Sequence, residues 1–183
     1  MSSISFLTNP QIPLIIDTSV VININATKCG NKILSAFPHQ CLITANVFSE
    51  LEIGMKKGYT DYLMVQELIK DKTFQLSQLG DKGSETYLRL IDGNAKTTLD
   101  DGEAATIALA DEISGVAVID EKKARMLCSD LFPNLEIVST VELLTSELIK
   151  KLLGADGCAD ALMYAFIDAR MRVSLARPLS CEK

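Results

Sequence analysis

Two neighbouring stretches, Leu99-Asp-Asp-Gly-Glu-Ala-Ala-Thr-Ile-Ala-Leu-Ala110 and Val116-Ala-Val-Ile-Asp120, decide the fold class. The first predicts a helix beginning near Asp100 or Asp101. The second is a short apolar run without polar alternation, closed by an acid, which suits a strand of a parallel sheet buried on both faces. Pro13-Leu-Ile-Ile-Asp17 carries the same strand signature. Between them, Ser19 to Phe37 reads as helical with a break around Cys29-Gly30-Asn31, and Cys41 to Thr44 reads as a second strand. Asn46 is the expected N-cap of a helix reaching Lys57 and stopped by Gly58. Tyr62–Lys70 continues as helix, Thr73–Leu79 as strand and Ser84–Asp92 as helix; after Asp120 follow helix Glu121–Ser129, strand Leu135–Val138 and helix Val141–Leu153. Strands separated by helices predict an α/β domain with a mostly parallel sheet.

Residues 1–12 are read as a lead-in, 13–153 as the domain and 154–183 as a C-terminal helical extension and tail. Gly154 and Gly157 are expected to break the chain before a last helix from Cys158 to Val173. Cys158, Ala161, Leu162, Ala165, Phe166, Ala169 and Val173 recur at i, i+3, i+4 spacing, giving it one apolar face. That face packs on its own domain or docks a partner; a homodimer is the expected assembly.

Composition narrows the chemistry. With 183 residues, 48% hydrophobic and 23% charged, the chain suits one globular domain and not a disordered one. No run approaches the roughly 18–20 apolar residues of a membrane span. The first basic residue is Lys28, so no positively charged signal-peptide region is expected, and the five cysteines form no C-x-x-C pair. Both features lead to the expectation of a reduced, cytoplasmic protein. His39 is the single histidine, which sets aside histidine triads and polyhistidine zinc sites and leaves the chemistry to carboxylates. The net charge of −6 argues against wide phosphate contact, yet an acidic, metal-using site would itself contribute negative charge.

Asp17 and Asp120 end apolar strands, where ligands of open α/β sheets bind. Glu50 and Glu103 fall near helix starts, with Asp100 and Asp101 beside the latter. Taken singly, each is an ordinary turn, N-cap or first-turn acid, and Asp100 and Glu103 stand at capping-box spacing. Together, four acids without a histidine form a hard oxygen donor set that suits Mg2+ or Mn2+ and phosphate substrates.

Four blocks carry a family resemblance: Ile15-Ile-Asp-Thr-Ser19, Ala45-Asn-Val-Phe-Ser-Glu-Leu51, Leu99 to Ala110, and Val118-Ile-Asp-Glu-Lys-Lys-Ala-Arg125. In order and spacing they resemble the PIN-domain nucleases over about residues 13–150, most closely the compact prokaryotic VapC-like toxin ribonucleases. The resemblance implies a three-layer α/β/α fold and a divalent-metal-dependent endoribonuclease, with Asp17, Glu50, Glu103 and Asp120 as catalytic, metal-binding residues for Mg2+ or Mn2+. Thr18, Ser19, Asp101 and Glu121 would be auxiliary. Many relatives have Asp at the third position, so Asp100 and Asp101 stand beside Glu103 as alternatives there. It further implies an RNA substrate and a small antitoxin protein as partner. Lys56, Lys57, Lys122, Lys123 and Arg125 are candidate phosphate contacts, or ordinary solvated helix faces. Two other readings compete: a PIN fold used only for binding, and a phosphoryl-transfer domain with Asp17 as nucleophile. Against the latter, no second acid follows Asp17 two residues on.

Overall fold

The computed structural model describes residues 9–94, 97–169 and 171. Along the chain run β1 (Leu14–Ile16), α1 (Thr18–Ala26), α2 (Gly30–Leu34), β2 (Cys41–Thr44), α3 (Ala45–Lys56), α4 (Asp61–Lys70) and β3 (Phe74–Ser77). They are followed by α5 (Asp81–Ile91), α6 (Asp101–Ile113), β4 (Val116–Val118), α7 (Lys122–Leu131), β5 (Ile137–Val138), α8 (Thr140–Leu144) and α9 (Glu147–Ile167). The strands form one sheet in the order β3-β2-β1-β4-β5, all pairings parallel.

The apolar runs lack alternation because both faces of the sheet are covered. Leu14, Ile16, Cys41, Ile43, Val116 and Val118 enter one apolar cluster together with residues of α1, α2, α3, α4, α8 and α9. Ile15, Leu42 and Ala117 point into the other, with residues of α5, α6 and α7. The result is the expected three-layer α/β/α fold. In α6, Gly102 and every residue from Ala104 to Ala110 are buried, which accounts for its run of small side chains.

Several boundaries differ from the sequence reading. The N-cap of α3 is Thr44, whose hydroxyl accepts the Val47 N–H at 3.2 Å. β2 passes into α3 without a loop, so Asn46 lies inside the helix. The single helix expected over 141–153 is divided: Ser139 and Glu142 form a capping box on α8, and Ser146 caps α9. The helix expected from Ser84 begins at Asp81. Only Gly154 departs from helical geometry within α9, at φ 74° and ψ 172°, a conformation glycine adopts without a Cβ penalty; Gly157 does not break the helix. α9 ends at Ile167, and Val173 lies outside the described residues, as do residues 1–8 of the lead-in.

The apolar face of α9 is narrower than its sequence stripe. Cys158, Ala161 and Ala165 are buried, Leu162 is half-buried, and Phe166 is 37% exposed. Phe166→Ala should therefore cost about 1 kcal/mol or less. Ile149→Ala, at a fully buried position of the same helix, should cost roughly 2–5 kcal/mol. Urea denaturation of both variants checks the contrast; equal losses would place Phe166 in the core.

Candidate active site

From β1 the chain builds outward through β2 and β3 on one side, and β4 and β5 lie on the other. The strand order thus reverses between β1 and β4, opening a crevice at their carboxyl ends. Asp17 follows β1 directly and is the N-cap of α1. Its N–H donates to the Val118 carbonyl at 3.1 Å, so the backbone of β4 fixes its position. The carboxylate accepts the Ser19 N–H at 3.1 Å and the Ser19 hydroxyl at 2.6 Å. Asp17 is only 2% exposed. Burial pushes its pKa up to about 6; the Ser19 bonds pull it back in part, and the Glu50 charge adds to the rise.

On the other side of the reversal, Asp120 is bonded at both oxygens. The Thr140 N–H donates to one at 2.7 Å, while the Asn23 amide at 2.6 Å and the Thr140 hydroxyl at 2.5 Å donate to the other. Glu50, on α3, accepts the Gly102 N–H at 2.8 Å, and its second oxygen accepts the Thr18 hydroxyl. A Cβ on residue 102 would lie 2.7 Å from that second oxygen. Glycine therefore lets the start of α6 approach the carboxylate, in the manner of an anion at a helix N-terminus.

Glu103 is in the first turn of α6. Its pKa is raised to about 8, first by burial and then by the charges of Asp17, Glu121 and Asp100, against the Asp100 N–H. Asp101 is exposed and bonded elsewhere: the Asn46 amide donates to it at 3.1 Å, and the Tyr87 hydroxyl donates to its other oxygen. That bond pushes the Tyr87 phenol up to about 12. The Asp17 charge acts on Glu103. Glu121 caps α7 through the Ala124 N–H at 2.9 Å. It lines, with Ser19, Asn23, Glu103 and Asp120, a groove of 290 Å³. Thr18 and Glu50 line an adjoining groove of 710 Å³, and Ile22 and Ala169 belong to both.

The basic residues divide. Lys56, Lys57 and Lys122 are exposed. Lys123 donates to the Thr98 carbonyl. Arg125 donates to the Ile119 carbonyl at 3.2 Å and pairs with Glu142 at 3.3 Å, which ties it to the α8 capping box. Sequence reasoning passed over Asn23, Thr140 and Gly102. Asn23 had a signal: it is polar within the apolar run of α1 and four residues after Ser19, on the same helix face. Gly102 and Thr140 carried none, since their partners lie 52 and 20 residues away.

The donor set fits a hard divalent cation in chemistry. It is all oxygen, and a carboxylate has about four lone-pair sites, so the hydrogen bonds to Asp17, Glu50 and Asp120 leave acceptor capacity on each. As the side chains stand, no group of three or more His, Cys, Asp or Glu among the described residues is gathered closely enough to hold a metal ion.

A family model described as a PIN domain matches residues 13–177. No curated protein and no solved structure matches the chain.

Both raised pKa values set a direction for stability. An acid whose folded pKa lies above its unfolded one stabilises fully below the unfolded value, here 3.8 for Asp17 and 4.5 for Glu103. That contribution is lost as pH rises through about 6 and about 8. In chelator the melting temperature should accordingly fall between pH 5 and pH 8.5, and Glu103→Gln should flatten the fall. Thermal melts across that range test this; identical profiles for variant and wild type would show that Glu103 is not held in the charged crevice.

Proposed function

The chain belongs to the PIN-domain family, a nuclease fold, and on that premise we propose that it hydrolyses RNA phosphodiester bonds with Mg2+ or Mn2+ as cofactor. One observation supports the reading: Asp17 follows β1 and Asp120 follows β4, the two strands at the strand-order reversal, and Glu103 lines a groove with Asp120. Burial, with neighbouring acids adding to it, raises the pKa values of Asp17 and Glu103, a cost that a bound cation would relieve.

Asp17, Glu50, Glu103 and Asp120 would hold the ion. When bound, it supplies charge neutralisation and a water acidic enough to attack phosphorus. The chain's own residues would orient the acids individually. Ser19 holds Asp17, Thr18 and Gly102 hold Glu50, and Asn23 and Thr140 hold Asp120. These bonds restrict each acid's orientation, and an ion would draw the carboxylates together from where they now stand. Asp101 helps to hold the start of α6 in place, and Glu121 contributes negative charge beside Glu103. Lys56, Lys57 and Lys122, all exposed, would meet phosphates outside the acids.

The proposal extends to a cytoplasmic toxin of the VapC type, restrained by a small antitoxin and working as a homodimer. Met163, Phe166 and Ile167, exposed on α9, support a partner-binding surface. A second reading, a PIN fold that only binds, is favoured by the spread of the acids noted above.

Cleavage separates the two. Single-stranded RNA should be cut in Mg2+ or Mn2+ and spared in chelator, and Asp17→Asn should remove most of the activity. Equal cleavage by wild type and Asp17→Asn in matched preparations would sink the assignment. Gly102→Ala gives an independent check. It improves helix propensity by up to about 1 kcal/mol, yet its Cβ displaces the Glu50 carboxylate. The variant should melt no lower than wild type while losing roughly 10–100-fold in rate.

A further inference from the structure

The groove beside Glu50 has more room than the acids require. At 710 Å³ it lies within the range of small-molecule sites, roughly 300–1,000 Å³. It opens from Thr18 and Glu50 toward Tyr59 and Asp61 at the start of α4. Tyr59 is 63% exposed, a large aromatic surface left to water at the edge of a cavity. Its backbone is fixed by an N–H bond to the Gly54 carbonyl at 3.2 Å. Its ring lies close to Gly54, where an added Cβ would sit 3.8 Å from the ring. Ile22 and Leu51 supply apolar wall. Asp61 is held by the Asn25 amide at 2.8 Å, and Asp168 also lines the groove.

We infer that this groove receives an unpaired guanine base of the RNA, next to the phosphate at the acid cluster; the inference rests on the nuclease reading above. Three carboxylates, Glu50, Asp61 and Asp168, line the groove, so phosphate is repelled from it while N–H donors are attracted. An aromatic face beside such acceptors suits a base, which stacks on the ring and offers its Watson–Crick edge to the polar wall. Guanine presents two adjacent donors, N1–H and the N2 amino group, to one carboxylate. Uracil presents a single N3–H between two carbonyls, which the carboxylate repels. Asp61 is the acceptor for guanine, and its bond from Asn25 fixes its orientation.

The test uses the full chain and two fluorescein-labelled oligoribonucleotides, an oligouridine and the same strand with one central guanosine. Binding is read by anisotropy in Ca2+, and cleavage separately in Mn2+. Wild type should bind the guanosine strand about tenfold more tightly than the oligouridine. Tyr59→Ala should weaken that binding by roughly 5–100-fold, Tyr59→Phe should stay within about twofold because the ring is kept, and Asp61→Asn should abolish the guanosine preference while keeping oligouridine binding. Wild-type affinity for both strands in Tyr59→Ala and Asp61→Asn would overturn the inference, as would equal affinity of wild type for the two strands. If the variants behave as expected but wild type cleaves neither strand in Mn2+, the base site stands and the nuclease reading falls. If both strands are cleaved and the variants bind normally, the reverse holds.

Discussion

A carboxylate taken out of water at the centre of the sheet governs the rest of this structure. Asp17 is buried between β1 and β4 with neutral donors from Ser19, and a buried charge is costly unless it is bonded and neutralised. Part of the cost is met by local geometry. Asp17 is the N-cap of α1, so the group that starts the helix also sits near its positive end. The two interpretations of a strand-end aspartate, helix cap and site acid, therefore describe one residue in one position. What the cap does not offset appears as a pKa held near 6, and Glu103, coupled to it, rises to about 8. Burial is the larger cause of both rises, and neighbouring acids add to it.

The other two acids are held differently. Glu50 and Asp120 receive hydrogen bonds from groups that the fold brings from a distance, Gly102 to the first, Asn23 and Thr140 to the second. The Glu50–Gly102 bond fastens α3 to the start of α6. Just outside it, Asp101 accepts from Asn46 of α3 and Tyr87 of α5, so three helices meet at the start of α6. A substitution that disturbs any of them moves Glu50, because the N–H it depends on belongs to the backbone of that same turn. Asp101 acts there by position, as a strap on the helix start.

What could be read in the sequence follows from the range over which each signal acts. The buried strands around Ile15, Ile43 and Ala117 were legible because a parallel sheet covered on both faces writes continuous apolar runs. The break near Cys29-Gly30-Asn31 was legible because glycine is a poor helix former, and the backbone turns there with Lys28 at φ 62° before α2 begins. Asn46 was misplaced as a cap because Thr44 ends β2 and starts α3 at once, leaving no loop for a cap to mark. The helix expected over 141–153 hid the stop at Thr145-Ser146, since serine and threonine are tolerated within helices and mark a cap only in context. Among the acids, the residues were legible but their supports were not: Gly102 and Thr140 act through contacts that no local pattern encodes.

The C-terminal helix shows how far such long-range dependence reaches. Residues 154–183 look separable in sequence, after two glycines, and the helix does kink at Gly154, yet the segment beyond the kink keeps Cys158, Ala161 and Ala165 in the buried layer. Beyond its end, the Met171 N–H donates to the Ala165 carbonyl at 3.2 Å, and Met171 is buried. This return places Ala169 in both grooves and Met171 in the one lined by Glu103 and Asp120. The wall of the acidic crevice is thus completed by a segment about fifty residues past Asp120 in the chain. The family match ends at residue 177, beyond α9 and not at the glycines. α9 packs against α1, and α1 carries Ser19 and Asn23. The described part of the extension, residues 154–169 and 171, thus packs beside the element that carries the side chains holding Asp17 and Asp120.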